Sequence, residues 1–408
     1  MKFIIQSLTG ILRIIVYTMV SFLPRNRKLA VFGAWNGDRY CDNPKYLMLY
    51  LLSHSDYKCV WVGKEHLRGQ MPNHDNFYFV PYGSWSAVFV ALRARCIFCC
   101  VTDKDVANVM WQGGALRFNL WHGIPLKYMG ERTPFKISHT VPRRKFRQIV
   151  HSFYESFRPS PWWTVTASRK MSDIMVACYP ELFSHKRILE IGTPRNDYII
   201  SNSSNFELRS VLKEKYGKLL GFAVDKKIVL YMPTWRMCQG DVFTFSGMEQ
   251  DRKSVLEEVL RESSAVLIEK HHQSVLERMN VESSKESDFV IIGSSLHNEV
   301  DPLELCLITD VLITDYSSIY IDFGLLNRPC IHFIYDYGEY KRKDSGLAYD
   351  LHEVAGGPCV KTFDELTNAL KDILLDGIAE PKSGYRGLVK FENGECCNRL
   401  QQFMDTHV

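Results

Sequence analysis

The chain has no second pair of cysteines or histidines at zinc-ligand spacing beside Cys96-x-x-Cys99, no small-residue cleavage site ahead of its first basic cluster, no internal repeat and no low-complexity tract. Each gap removes a class of protein. Lacking ligand spacing, the twelve cysteines read as free thiols of a reduced compartment, and the run from Ala94 through Cys96, Cys99 and Cys100 reads as a buried strand. Lacking a cleavage site, the apolar N-terminus does not read as a secretory signal. Net charge is scarce too. At +4 over 408 residues it gives no general attraction to nucleic acid and points to locally basic faces instead.

What is present is apolar material, 46% of a length that accommodates two domains with a core each. Between Phe3 and Leu23 the only charge is Arg13, and Arg25, Arg27 and Lys28 follow at once. That length would permit a membrane-spanning helix. A central arginine costs roughly 2.5–3.5 kcal/mol there, however, and Gln6, Gly10, Arg13 and Tyr17 recur at helical spacing. Residues 1–28 are therefore expected to form an amphipathic helix lying in an anionic membrane surface, with a helix packed on its own domain as the alternative. A basic stretch, His139, Arg143, Arg144, Lys145, Arg147 and His151, reads either as a second contact with anionic lipid or a polyanionic acceptor, or as a solvated face.

Beyond the N-terminus, short apolar runs alternate with helical patterns. Runs 29–32, 58–62, 77–80, 96–101 and 118–121 read as strands, with helices over 44–52 and 85–94, and 163–166 and 187–191 close this first sheet. The pattern restarts with strands at 227–232, 266–270, 289–292, 311–314, 330–333 and near Val360, and helices at 253–262, 302–307, 319–326 and 363–376. Such alternation predicts an α/β chain of two parallel, doubly wound sheets. The serine-rich stretch 202–212 reads as a hinge, so the domains are expected at 29–200 and 201–390, with a last helix in 391–408 packing back on the first.

Polar clusters follow the predicted strands directly, and ligands in open α/β sheets lie outside the carboxyl ends of strands, so the clusters are expected in one crevice between the lobes. Trp121-His122-Gly123-Ile124-Pro125-Leu126-Lys127 sets an imidazole just past a strand, where Gly123 and Pro125 turn the chain. A histidine there suits proton removal from an alcohol, or simply a hydrogen-bonded structural role. Pro233-Thr234-Trp235-Arg236 offers a hydroxyl and a guanidinium fork for phosphate oxygens. Lys270-His271-His272 offers up to three donors, and its adjacent histidines face opposite sides of a strand, which argues against a zinc pair. Thr314-Asp315-Tyr316-Ser317-Ser318, with Asp322 beyond, ends a strand in a hydroxylic turn before a helix, which is either an anion site or an ordinary serine cap. Asp315 and Asp322 orient a serine or imidazole, hold a ribose hydroxyl, cap a helix or pair with Arg328. Neither metal nor cofactor is required, because basic residues and a helix start can neutralise a diphosphate. Asp42-Asn43-Pro44-Lys45 frames a possible acceptor pocket.

In this order the motifs resemble the CDP-glycerol glycerophosphotransferase family, which builds teichoic acids and teichoic-acid-like capsules. The likeness runs from about Asp42 to Gly357 and includes Gly192 with Pro194-Arg195-Asn196-Asp197. It implies a GT-B fold of two Rossmann-like lobes facing across a cleft, with acceptor on the first and a CDP-alditol on the second. By the same resemblance His122 is the base, and His272, the second catalytic candidate, holds the diphosphate. Arg236, Thr234, Lys270, Asp315, Ser317, Ser318 and Asp322 hold the donor, and Asn43, Lys45, Lys127, Arg195 and Asp197 lie on the acceptor side. The implied partners are CDP-glycerol or CDP-ribitol and a polymeric or lipid-linked acceptor, at the cytoplasmic face of the cell membrane. Two departures stand out: Gln273 follows His272 where the family has proline, and 151–161 looks like an insertion. A nucleotide-sugar glycosyltransferase and a catalytically silent polymer-binding protein remain as alternative readings.

Overall fold

The computed structural model describes residues 2–130, 162–180, 182–234 and 243–407, apart from 246, 273–274, 277–282, 287, 294, 344–345 and 380–381. The chain divides into two compact units. The first comprises Met1–Gly123, Gly130–Asp197 and Phe391–Val408, and the second Ile124–Met129 and Tyr198–Lys390.

The first unit opens with helix α1 (Lys2–Ser21). Past residue 11 its Leu12, Ile15 and Met19 are exposed, while Val20 is buried and Arg117 lies over the Tyr17 ring. Among the described residues no helix is long and apolar enough to cross a membrane. Arg25 fastens the exit from α1 by donating to the carbonyls of Ala91, Ala94 and Gly113. Strand β1 (Asn26–Gly33) therefore begins inside the segment expected to end at residue 28.

Then come α2 (Asp42–His54), β2 (Lys58–Gly63), β3 (Phe77–Pro81), α3 (Trp85–Arg93), β4 (Ala94–Cys99) and β5 (Leu116–Asn119). The five strands form a parallel sheet in the order β3-β2-β1-β4-β5. Short strands β6 (Thr164–Val165) and β7 (Ile188–Leu189) pair in parallel, and a bridge from Phe118 to Trp163 ties them to β5. Between them lies α4 (Arg169–Cys178), capped by Ser168. The central strands are buried on both faces, which is why they read as continuous apolar runs. Cys96, Cys99 and Cys100 belong to this core as free thiols.

Helix α5 (Pro194–Ser201) passes into the second unit, where α6 (Phe206–Leu220) follows. The stretch read as a hinge is thus largely helix. Its polar start is a cap, with the Asn205 side chain accepting from Leu208 N, and Gly221 closes the far end at a left-handed φ of 80°. The sheet of this unit is built from β8 (Lys227–Tyr231), β9 (Ala265–Lys270), β10 (Ser284–Glu286), β11 (Phe289–Ile292), β12 (Val311–Thr314), β13 (Cys330–Phe333) and β14 (Cys359–Val360). Its order is β10-β11-β9-β8-β12-β13-β14, parallel except for the β10–β11 hairpin. Helices α7 (Gln250–Glu262), α8 (Pro302–Ile308), α9 (Ile319–Gly324), α10 (Tyr337–Lys343), α11 (Leu351–Val354) and α12 (Phe363–Leu374) accompany it. The last helix, α13 (Cys396–His407), buries Leu400 and Met404 in the core of the first unit with Leu47, Tyr57 and Phe118.

Candidate functional site

In each unit the parallel strands are laid down in opposite directions on either side of one central pair, β1 and β4 in the first and β8 and β12 in the second. Crevices form at such switch points because the connections leave in opposite directions. The candidate residues gather there.

In the first unit the loops after β1, β4 and β5 surround His122. The imidazole is partly exposed, stacked on Trp121 at a centroid distance of 4.6 Å and tilted against Trp35 at 5.1 Å. Its Nδ1 is buried without a hydrogen-bond partner among the described residues. Burial lowers its pKa to about 4, with Asp42 opposing that shift and Arg195 and Arg39 adding to it. The ring is neutral at pH 7, the form a base needs.

The backbone around it is strained. Trp35 (φ 50°), Asn36 (φ 53°), Asp42 (φ 62°) and Trp121 (φ 59°) all occupy the left-handed region that bulky side chains avoid. Strain of this kind persists only where surrounding bonds over-determine it, and it concentrates at functional sites. The bonds are present. Asn43 is buried, donates to the carbonyls of Leu120 and Trp121, and accepts from Arg195 N. Arg195 Nη1 donates to the His122 carbonyl at 2.8 Å and pairs with Asp42 at 3.4 Å. Asp42 also accepts from Trp35 Nε1 at 2.9 Å. Asp105, the second member of an Asp103-Lys104-Asp105 pair, accepts from the N–H groups of Asn36, Cys100, Val101 and Thr102. Gly33 is obligatory here, since a Cβ would stand 2.2 Å from the Asp105 carbonyl oxygen.

Asn43 and Arg195 therefore shape the loop that carries His122. Asp197 is engaged elsewhere, accepting from Cys396 N and Cys397 N at the start of α13. Lys45 is buried with its Nζ over the rings of Tyr40 and Tyr46. Lys127 belongs to the second unit, bridging Leu347 with its ammonium over Tyr340. Glu392, with no motif to announce it, accepts from Thr193 N, Thr193 Oγ1 and Asn196 Nδ2, and burial lifts its pKa to about 7.

In the second unit Thr234, His272 and Asp315 follow the neighbouring strands β8, β9 and β12. Asp315 is fully buried, and its Oδ1 accepts from the N–H groups of Thr234, Tyr316 and Ser317, so the carboxylate ties two loops across the switch point. Ser317 and Ser318 are half-buried, and Ser318 stands at the N-cap of α9 without capping it through its side chain. An ordinary serine cap is thus not what places that hydroxyl. Asp322 is buried in α9, while Arg328 donates to the carbonyls of Cys306, Leu307 and Thr309 at the end of α8.

The adjacent histidines lie just past the end of β9 and differ in their surroundings. His271 is buried against Glu269 and edge-on to Tyr231, whereas His272 is partly exposed. Lys270 is buried with its Nζ 3.0 Å from His297 Nδ1. A residue without a motif also emerges. His332 on β13 donates from Nδ1 to the Asp315 carbonyl at 2.9 Å and accepts at Nε2 from Gly356 N at 3.1 Å. Arg236, Trp235, Gln273, the basic stretch 139–151 and the segment 151–161 lie outside the described residues. Among the described residues no group of His, Cys, Asp and Glu is arranged to hold a metal ion.

A family model described as CDP-Glycerol:Poly(glycerophosphate) glycerophosphotransferase matches residues 15–403, and the chain belongs to that family. It is 28% identical to the teichoic acid poly(glycerol phosphate) polymerase of Bacillus spizizenii strain W23, over 87% of this chain and 86% of that one. It is also 28% identical to the teichoic acid glycerol-phosphate transferase of Staphylococcus aureus strain NCTC 8325, over 95% of each. Among solved structures, the wall teichoic acid polymerase TagF matches with a TM-score of 0.73 and 22% identity, covering 100% of this chain and 97% of that one. The fold is that of TagF, a GT-B-like arrangement of parallel sheets and helices.

Proposed function

We propose that this member of the family transfers glycerol phosphate, or ribitol phosphate, from a CDP-alditol to a hydroxyl of a teichoic acid or teichoic-acid-like capsule polymer or its lipid-linked primer. The observation that carries the reading is the neutral imidazole of His122, wedged between two tryptophans and presented by a strained loop.

His122 Nε2 takes the proton from the acceptor hydroxyl as that oxygen bonds to the donor's distal phosphorus. The bond from that phosphorus to the bridging oxygen breaks, and CMP leaves with the electron pair. In the free protein the ring is a weak base. The negative charge of a bound diphosphate raises its proton affinity at the moment it must accept. His272, Lys270 and Arg236 stabilise charge on the departing CMP, and the N–H groups and hydroxyls of Ser317 and Ser318 receive phosphate oxygens. Thr234, Asp315 and Asp322 hold that turn in shape. Asn43 and Arg195 act by positioning the His122 loop, Asp197 holds the start of α13, and Lys45 and Lys127 serve the acceptor side. Neither cofactor nor metal enters this scheme.

Incubation of the purified chain with CDP-glycerol, CDP-ribitol or UDP-glucose and a soluble acceptor tests the reading through nucleotide release. CMP formed from a CDP-alditol supports it, and turnover of the sugar nucleotide alone would replace it with a glycosyltransferase.

The same reading puts the protein at the cytoplasmic face of the membrane as a peripheral protein. Its support is the exposed stripe Leu12, Ile15 and Met19 with Phe22 and Leu23 beyond it. Changing Leu12, Ile15 and Met19 to serine should release the chain from anionic vesicles and leave soluble-acceptor activity within about twofold. Retained sedimentation with vesicles would overturn this placement.

A further inference from the structure

The second unit has a cavity that the reaction above does not use. It measures about 130 Å³ and is lined by Asn327, Lys382, Ser383, Tyr385 and Arg386, with Arg328 on one wall. Asn327 and Arg328 precede β13 and Gly356 precedes β14, so it opens at the amino edge of the sheet, the edge opposite to Thr234 and Asp315. Its shape depends on two glycines. A Cβ on Gly324 would stand 2.5 Å from the Tyr385 ring, and one on Gly356 would stand 3.2 Å from Tyr320. Tyr385 is fixed by donating its hydroxyl to the Gly324 carbonyl at 2.6 Å.

The lining has one sign of charge. Among the described residues no acidic one lines the pocket, and neither Lys382 nor Arg386 forms a salt bridge. Two exposed cations beside a serine hydroxyl and an asparagine amide form a donor set for an anion with several acceptor oxygens. Pockets that enclose nucleotide-sized ligands run to roughly 300–1,000 Å³, so this one suits a single tetrahedral group.

We propose that this pocket binds one phosphate group, carried by a phosphomonoester or by a phosphodiester chain, at a site separate from the twin-serine turn. The inference rests on the lining alone and not on the role given to His122.

The test is calorimetric titration of the full chain, in about 0.15 M salt, with inorganic phosphate, glycerol 3-phosphate and poly(glycerol phosphate). Three proteins are compared: wild type, Lys382→Gln/Arg386→Gln and Ser317→Ala/Ser318→Ala. Saturable binding should persist in the serine variant and weaken about tenfold or more in the Lys382/Arg386 variant, whose exposed positions leave the fold intact by circular dichroism. Equal affinity for the three probes identifies an isolated phosphate as the ligand, and tighter polymer binding identifies the chain. Absence of saturable binding by every probe, or binding that survives the Lys382/Arg386 changes, overturns the proposal. Binding lost only in the serine variant would assign the phosphate to the turn after β12 instead.

Discussion

His122 in the first unit and His332 in the second both have a pKa lowered to about 4, in each case chiefly because burial strips water from the charged form. Their bonding is opposite. His332 has both nitrogens committed to backbone groups, the Asp315 carbonyl and the Gly356 N–H, so its tautomer is fixed and its ring has no proton chemistry left to offer. His122 is held through its flanks and its own carbonyl, and its Nδ1 has no hydrogen-bond partner among the described residues. Depressed basicity therefore reports burial in both units. What distinguishes a reactive ring from a structural one is whether its nitrogens are already spent.

The sharpest way to break that contrast is to remove each ring. His122→Ala should lower CMP release by about 10²–10⁴-fold, the range for loss of a general base. Its melting temperature should change little, because the strained loop is held by Asn43, Arg195 and Asp105. A variant within a few-fold of wild type would remove His122 from the reaction. Asp42→Asn should have a smaller effect, about tenfold on kcat/KM at pH 7. Asparagine tolerates the left-handed conformation at position 42, so the backbone survives while the carboxylate that raises the ring's proton affinity is lost. The acid limb of the pH–rate profile should move to lower pH as the plateau falls, and an unmoved limb would show that Asp42 acts through structure alone.

His332→Phe should show the reverse pattern. It leaves the Gly356 N–H and the Asp315 carbonyl without partners, at about 1–3 kcal/mol for each buried group, and so lowers the melting temperature by several degrees. Turnover at saturating donor should stay within about threefold while donor KM rises, because the lost bond supports the turn that bears Ser317. The pH dependence carries a second signature. Each histidine has a folded pKa below its unfolded value, so its contribution is complete above pH 6.5 and is lost as pH falls towards 4. Removing His332 should make the acid-side decline in melting temperature shallower, and an unchanged slope would contradict its buried neutral state.

Much of this was legible along the chain, and the parts that were not share a cause. Strands such as β2 (58–63) and β12 (311–314) announce themselves because buried parallel strands are unbroken apolar runs ending in turn residues. His122 stands out because Gly123 and Pro125 force a turn beside it. The stretch 202–212 reads as a hinge because a polar, serine-rich lead into a helix looks like a linker until the cap geometry at Asn205 is seen. Asn43, Arg195 and Asp197 look like ligand residues in a linear reading, yet their partners are backbone groups 77, 73 and 199 residues away. His332 and Glu392 carry no local signal at all. A histidine in a strand reads as core, and a glutamate near the C-terminus reads as surface. Only the folded chain brings their partners within reach.

Glu392 yields the smallest effect and tests the same distinction on a carboxylate. Its folded pKa is raised to about 7 from an ordinary 4.5 by burial, against the opposing hydrogen bonds from Asn196 and Thr193. The folded state thus holds a proton that the unfolded state has released between those values, so this group costs stability as pH rises from 4.5 to 7. That is the opposite direction from the two histidines. Glu392→Gln cannot ionise, so its melting temperature should be flatter over this window by a few degrees. The amide nitrogen cannot accept where the second carboxyl oxygen does, so the curve should also start lower, with Thr193 N left without its partner. Thermal melts of both proteins from pH 4.5 to 8 read the difference in slope, which the constant offset does not affect. Parallel curves would mean that Glu392 ionises as it does in water, and that its bonds to Thr193 and Asn196 compensate fully for its burial.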